Sequence, residues 1–357
     1  MTPGCGCHCF ILPPHVIAEV GERGGHERAV ADRTLAASAS VRARRNLAAG
    51  LLREMGVGLA DLKVFAPPKG ETRTVFDAQN GTDLPGTRVR GESDPPAGDP
   101  AVNEAYDAAD HTYRFYKDVF DRDSIDGQGV EIVSTVHYGN AFDNAFWNGT
   151  QMIYGDGSGT MMAVGSLTKA LDVVGHEMTH GVIQTTAGLI YRSQSGALNE
   201  SFADVFGSLV KQYALGQTAE EADWLIGEGV LGSALHGVAL RSMSNPGHAF
   251  DLDRQPGDMS GYVELPADND PRNDNGGVHI NSGIPNRAFY LVASTLGGNA
   301  WEHAGRIWWE ALTTKLKPTA DFKAAANATV RVAGDLFGKK SLEQRAVRAA
   351  WKVVGVL

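Results

Sequence analysis

The stretch Asp172-Val-Val-Gly-His176-Glu177-Met-Thr-His180 decides how this chain is read. At about 100° per residue along an α-helix, His176 and His180 fall within roughly 40° of each other, one turn apart. Both imidazoles can then reach one point in space, with a carboxylate, Glu177, beside them. Leu167, Leu171, Val174, Met178 and Val182 recur on the other side of the same helix as a core-facing stripe. Ser166, just ahead of the stripe, is read as the N-cap. His-Glu-x-x-His on a helix supplies two zinc ligands and a general base. The plain alternative is a helix with two histidines on a polar face, and the context decides between them.

That context follows directly. Asn199-Glu200-Ser-Phe-Ala-Asp204 lies in a second helix whose apolar face is Phe202, Val205, Phe206, Leu209 and Val210. Glu200 and Asp204 are four apart and share one face. Such charges usually end on a solvated helix face. A catalytic zinc, however, takes three protein ligands, of which two His and one Glu is one set, and keeps a fourth position for water. Glu200 is the candidate third ligand. Asp204, one turn on, can accept a ring N–H from a ligand histidine and so fix its tautomer.

The two helices together resemble the thermolysin family of zinc metalloendopeptidases. The likeness extends to Asn144-Ala-Phe-Trp147-Asn-Gly, Tyr154-Gly-Asp-Gly, Gly188-Leu-Ile-Tyr191, Leu240-Arg241-Ser-Met-Ser and Asp274-Asn-Gly-Gly-Val-His279-Ile-Asn-Ser-Gly, and covers about residues 70–357. It implies an α+β, two-lobed fold: a β-rich N-terminal lobe over 70–185, ending in the zinc helix, and a mostly helical C-terminal lobe over 186–357. It implies a neutral endopeptidase with one catalytic zinc, in which Glu177 activates the attacking water. His279 and Tyr191 would donate to the developing oxyanion, Asp274 would orient and charge His279, and Asn199 would support the metal site together with Asp204. Asn144 and Ala145 would pair with the substrate backbone. Arg241 would hold a substrate carbonyl, and Val173 and Leu240 would line an apolar pocket, so that the cut falls before a large hydrophobic residue. Trp147 reads more simply as core.

The likeness fails at one place. Thermolysin itself carries paired calcium ions on a carboxylate cluster. Asp172, Asp223 and Glu228 match that cluster, but Lys211 and Leu225 stand at two further carboxylate positions. The oxygen count falls below the 6–8 that calcium takes, and the paired site is expected to be lost. A single calcium elsewhere stays open.

With 357 residues the chain is long enough for two lobes. A formal net charge of −10 argues against nucleic acid and anionic membrane as partners. No apolar run reaches the ~20 residues of a membrane span. Met1-Thr-Pro-Gly-Cys lacks a basic start, and Phe10-Ile-Leu-Pro-Pro interrupts any apolar core. The expectation is a cytoplasmic precursor without a signal peptide, with non-classical export to the extracellular space as its route outward. All three cysteines, Cys5, Cys7 and Cys9, precede residue 10, so the body is expected to need no disulfide.

Residues 1–65 read as a separate unit. Cys9-Phe-Ile-Leu-Pro13-Pro14-His15-Val-Ile is expected to be extended by its prolines, and Glu27 to about Met55 reads as one Ala- and Arg-rich amphipathic helix. The Cys9-Phe-Ile-x-Pro13-Pro14-His15-Val pattern resembles the short prosegment of the protealysin-like subgroup. That implies a latent precursor whose own prosegment is an intramolecular inhibitor. A thiolate from Cys5, Cys7 or Cys9 on the zinc is one means of inhibition. Blockage of the cleft with the thiols free is the other, and is favoured. Maturation is expected at or near Pro67-Pro68-Lys69-Gly70.

Strand-like runs fall at 74–77, 86–90, 130–136 and 151–154, with a helix from Pro100 to Phe120. Beyond the two site helices, further helices are expected at about Asn281–Leu296, Trp301–Leu316, Ala320–Phe337 and Ser341–Val354. The partners implied are protein and peptide substrates, met by a monomer. A zinc-holding binding protein permanently blocked by residues 1–65 is the alternative class, and the intact catalytic positions speak against it. An exopeptidase would need a site for a free amine, and no motif supplies one.

Overall fold

The computed structural model describes residues 10–54 and 72–357, of which 42–54 by backbone alone. Cys5, Cys7, Cys9 and the linker expected to carry the maturation bond lie outside the described residues. The described chain opens with α1 (Pro14–Glu22) and α2 (Gly25–Glu54). Of the segment expected to be extended, Phe10 to Pro13 is so, but Pro14 to Ile17 is helical. Pro13 is the N-cap and Pro14 opens α1, because a first-turn proline lacks an N–H that the helix would leave unpaired there anyway.

A five-stranded sheet forms the first lobe: β1 (Arg73–Asp77), β2 (Thr87–Gly91), β3 (Ile132–Val136), β4 (Ala145–Trp147) and β5 (Met152–Tyr154), in the order β2-β1-β3-β5-β4. β1, β3 and β5 are parallel, and the two edge strands run antiparallel to their neighbours. Parallel β1 and β3 need a crossover, which α3 (Pro100–Phe120) supplies. Asp99 caps α3 by accepting from the Ala101 N–H, and Asp121 in the left-handed region ends it. β4 is the last strand of the sheet; its outer edge faces the site and pairs there with Phe10 and Ile11.

Two helices carry the centre, α4 (Leu171–Thr185) and α5 (Ser193–Leu215). α4 starts later than its sequence suggests, with Ala170 at the cap. Ser166 does not cap it: its hydroxyl donates back to Ala163 O at 2.7 Å and closes a separate turn. Every residue from Asp172 to Ile183 is buried, so α4 has no solvated face. α5 lies against it through glycines. A Cβ on Gly207 would stand 2.5 Å from Asp172 O and 2.8 Å from His176 N, so only a residue without one lets the two backbones approach this closely.

A short hairpin, β6 (Leu225–Ile226) with β7 (Arg241–Ser242), delivers Arg241. Then come α6 (Asp274–Asn281), α7 (Gly283–Leu296), α8 (Ala304–Thr314), α9 (Phe322–Phe337) and α10 (Leu342–Val353). The single helix expected from about Asn281 is preceded by a separate helical segment, α6. Asn275, Gly276 and Gly277 there adopt left-handed angles that no regular helix continues through. The helix expected from Trp301 starts at Ala304. One core runs through both lobes and includes Ile11, Leu12, Val16 and Val20 beside Val173, Val174 and Phe202. Among the described residues, no helix is long and apolar enough to cross a membrane.

Candidate active site

His176 and His180 project from α4, and Glu200 from α5, into one buried point. Their Nε2 atoms lie 3.0 Å apart, and each is 3.5 Å from a Glu200 oxygen. The hydrogen bonds behind the rings fix which nitrogen carries a proton. Asn199 Nδ2 donates to Leu189 O at 3.0 Å, which turns Asn199 Oδ1 toward His180 Nδ1, 2.8 Å away. That nitrogen is therefore the donor, and His180 Nε2 presents a bare lone pair. His176 Nδ1 faces the Asp204 carboxylate at 2.7 Å and is a donor in the same way. Two lone pairs and a carboxylate then converge in a buried pocket. A cation reconciles them, and two His and one Glu is a set that zinc takes. The three ligand atoms all lie within 4.8 Å of one another, and Glu200 Oε2 has no hydrogen-bond partner among the described residues. Burial, and then the neighbouring His176, hold His180 well below the ordinary histidine value, so it remains a neutral ligand.

Glu177, between the two histidines in sequence, lies against the sheet edge. Its Oε2 accepts from the Trp147 N–H at 3.0 Å, while Oε1 has no partner among the described residues. Burial first, and the nearby Glu200 second, raise its pKa well above the ordinary value. Trp147 is thus core by its side chain, as expected. Its backbone N–H as an anchor for Glu177 was not legible, because main-chain donors leave no residue signature.

His279 and Tyr191 stand on the far side. Tyr191 OH is 3.0 Å from His279 Nε2 and also donates to Glu200 Oε1. The left-handed turn of α6 folds Asp274 back, so that it accepts from the His279 and Ile280 N–H groups and meets His279 Nδ1. Burial opposes a charge on His279, but the Glu200 and Asp274 carboxylates outweigh it and push the imidazole up to about 9. Gln255, which the sequence did not mark, steadies the same residue by donating to His279 O at 2.8 Å.

Asp204 does more than hold His176. It also accepts a two-pronged pair from Arg241 and a bond from Asn286 Nδ2 at 2.8 Å. Burial would raise its pKa, yet Arg241 and His176 hold it well below the usual carboxylate range. Arg241 donates its remaining nitrogen, Nη1, to Ile11 O at 3.1 Å. Asn144 meets Leu12, and Ala145 O accepts from the Ile11 N–H at 3.2 Å. His15 Nδ1 is 3.8 Å from Asp274. Val173 and Leu240 are both buried; Leu240 borders a small cleft with Pro13, His15 and Arg241. Away from the centre, Lys211 Nζ lies 3.2 Å from Asp172 and 2.6 Å from Asp223, joining two of the carboxylates that match the calcium cluster, while Glu228 is exposed.

Comparison with known proteins gives a consistent result. A family model described as the thermolysin metallopeptidase catalytic domain matches residues 66–184, and one for the alpha-helical domain matches 187–356. An extracellular metalloprotease of Pectobacterium carotovorum subsp. carotovorum is 45% identical over 98% of this chain and 96% of its own. The protease PrtS of a Photorhabdus species is 49% identical over 80% of this chain and 76% of its own. The solved precursor of protealysin, a metalloproteinase from Serratia proteamaculans, superimposes with a TM-score of 0.84 at 44% identity, covering 98% of this chain and all of that one.

Proposed function

The chain belongs to the thermolysin family of metallopeptidases, and on that premise we propose a role for each side chain of its buried centre. The protein is a zinc-dependent metalloendopeptidase in its precursor form. His176, His180 and Glu200 hold the zinc, with Asp204 and Asn199 setting the two ring tautomers. Bound zinc supplies a Lewis acid that polarises the scissile carbonyl and acidifies water. Glu177 accepts the proton of the attacking water and later hands it to the leaving nitrogen. Tyr191 and protonated His279 donate to the carbonyl oxygen as it gains charge, a contribution of about 3 kcal/mol for each well-placed donor. Asp274 keeps His279 aimed and charged.

Substrate adds as a strand to the β4 edge through Asn144 and Ala145, and Arg241 holds the carbonyl beyond the cut. Val173 and Leu240 belong to the apolar pocket that selects a large hydrophobic residue after the cut. Residues 1–65 are the prosegment, 70–185 and 186–357 the two catalytic lobes, and residues 10–15 keep the enzyme latent by filling the cleft. Lys211 takes the place of the paired calcium ions. Protein and peptide substrates are met outside the cell once the prosegment is cut.

The observation that carries this reading is the buried point where two imidazole lone pairs and the Glu200 carboxylate converge, with Glu177 Oε1 left without a partner among the described residues. The test is zinc-loaded full-length chain, limited trimming by trypsin and a quenched peptide assay, beside a Glu177→Ala control. Activity released by trimming in the first sample alone supports the assignment. Activity in the control, or in neither sample, overturns it.

A further inference from the structure

Residues 10–12 lie on β4 as an added antiparallel strand, and their register is defined atom by atom. Phe10 pairs with Phe146, and Ile11 N–H donates to Ala145 O. Asn144 grips Leu12 at both ends, accepting from its N–H at 3.0 Å and donating to its carbonyl at 3.1 Å. The carbonyls on either side of the Ile11 nitrogen meet different groups. Phe10 O is 3.2 Å from His279 Nε2, which is itself 3.6 Å from the Glu200 carboxylate. Ile11 O accepts from Arg241. One step further along the same edge, Trp147 N–H holds Glu177. A plug that only filled space could run in either direction. This one presents one carbonyl to His279 Nε2 at the mouth of the zinc ligands and the next to the arginine behind it.

Resting on the peptidase reading above, we propose that the chain's own Phe10–Ile11 peptide bond occupies the cutting position, and that the zinc-loaded precursor hydrolyses it without relieving its own inhibition. The oxygen of water bonds to the Phe10 carbonyl carbon. Glu177 carries the water's proton to the Ile11 nitrogen, and the C–N bond breaks. A carboxylate is left on Phe10 and an amine on Ile11, and no other reactant is consumed. Residues 1–10 leave, taking all three cysteines with them. Residues from Ile11 onward stay. Asn144 and Arg241 hold Leu12 and Ile11, Val16, Ile17 and Val20 are buried in the common core, and Arg23 donates to Ala234 O at 2.5 Å. The trimmed chain is therefore still latent, and activation needs a second cut. The same register names a substrate class: extended peptides with an aromatic residue before the cut and branched aliphatic residues at the two positions after it.

The register is tested first without metal. In the full-length zinc-free chain, the Ile11 and Leu12 amides should resist hydrogen exchange, and Asn144→Ala should release the Leu12 amide. Fast exchange at both amides in the parent chain overturns the proposal. Zinc is then added and intact mass is followed, with Glu177→Gln as control. The expected result is loss of residues 1–10 in the parent alone, with no activity on a quenched peptide until trypsin is added. If trypsin-trimmed chain cuts the quenched peptide while Phe10–Ile11 stays whole in the precursor, this proposal falls and the endopeptidase assignment stands. If neither bond is cut, the endopeptidase assignment falls with it.

Discussion

Gly207→Ala tests whether the metal site depends on two helix backbones touching. Ordinary contact begins at 3.4 Å, and the new methyl would stand 2.5 Å from Asp172 O, a shortfall of about 0.9 Å (3.4 − 2.5). Two effects oppose each other. Replacing glycine inside a helix gains about 1 kcal/mol of helix propensity. Overpacking a dense core costs about 1–3 kcal/mol. The steric effect wins here, because the obstructing atoms, Asp172 O and His176 N, are α4 backbone and cannot rotate aside. Relief comes only from moving α5 away by about 1 Å. Glu200 moves with α5 and His176 stays with α4, whereas ligand distances in a zinc site tolerate about 0.2 Å. The variant is expected to bind zinc about 10–100-fold more weakly and to melt about 1–3 °C lower without metal. Chelator competition and thermal melting measure the two, with Gly98→Ala, at an exposed glycine with open space around it, as control. Unchanged zinc affinity together with an unchanged or higher melting temperature would refute the reasoning.

Four further outcomes are expected. Glu177→Gln should keep zinc in chelator competition while the trimmed enzyme loses about 10²–10⁴-fold in kcat; loss of zinc would mean that Glu177 is structural instead. His137 lies between Asp99 and Asp156, 2.7 Å from each, and although burial works against its charge, these two carboxylates raise its pKa above 6.5. Its contribution is therefore fully present below 6.5 and fades as pH rises through the higher folded value. The melting-temperature gap between the parent chain and His137→Gln should shrink toward alkaline pH, and a gap that widens instead would contradict this. Lys211→Met leaves buried Asp172 without its cation and should cost about 1–3 kcal/mol in denaturant unfolding; the parent chain should melt at the same temperature with calcium or a calcium chelator, and a clear rise with calcium would show that a calcium site survives.

The metal-ligand candidates were legible because helix geometry brings His176 and His180, four apart, to one point, and the same spacing puts Glu200 and Asp204 on one face of the helix beside them. α3, expected at about Pro100 to Phe120, is found there, and Asp99 and Pro100 open it by side-chain chemistry that a sequence displays. Ser166 misled for the complementary reason. A serine ahead of an apolar stripe reads as a cap, but its hydroxyl found Ala163 O nearer, and tertiary packing supplied the start that capping did not. Pro13-Pro14 read as extended chain, but a proline suits a first turn equally well, and the burial of Val16, Ile17 and Val20 against the core selects the helix. Gly175 and Gly207 look like weak points in helices until the helices are placed face to face. Asn286 and Gln255 acquire their roles across long stretches of chain, by contacts that no local pattern encodes.

Asp204 shows why the latent form need not distort the metal site in order to block it. One buried carboxylate fixes the tautomer of His176, anchors the fork of Arg241 and accepts from Asn286. Arg241 therefore reaches Ile11 O with a nitrogen that Asp204 has already aimed, through the bonds it accepts from Nε and Nη2. Removing the prosegment takes one neutral carbonyl from Arg241 and leaves the Asp204–Arg241 ion pair whole. The desolvation cost of that buried pair is met within the body, by Asn286 and His176. A peptide carbonyl arriving in place of Ile11 thus finds a donor already oriented, and the ring that sets the metal has no reason to turn. Latency by occupation, with the machinery assembled beneath it, is what this wiring permits.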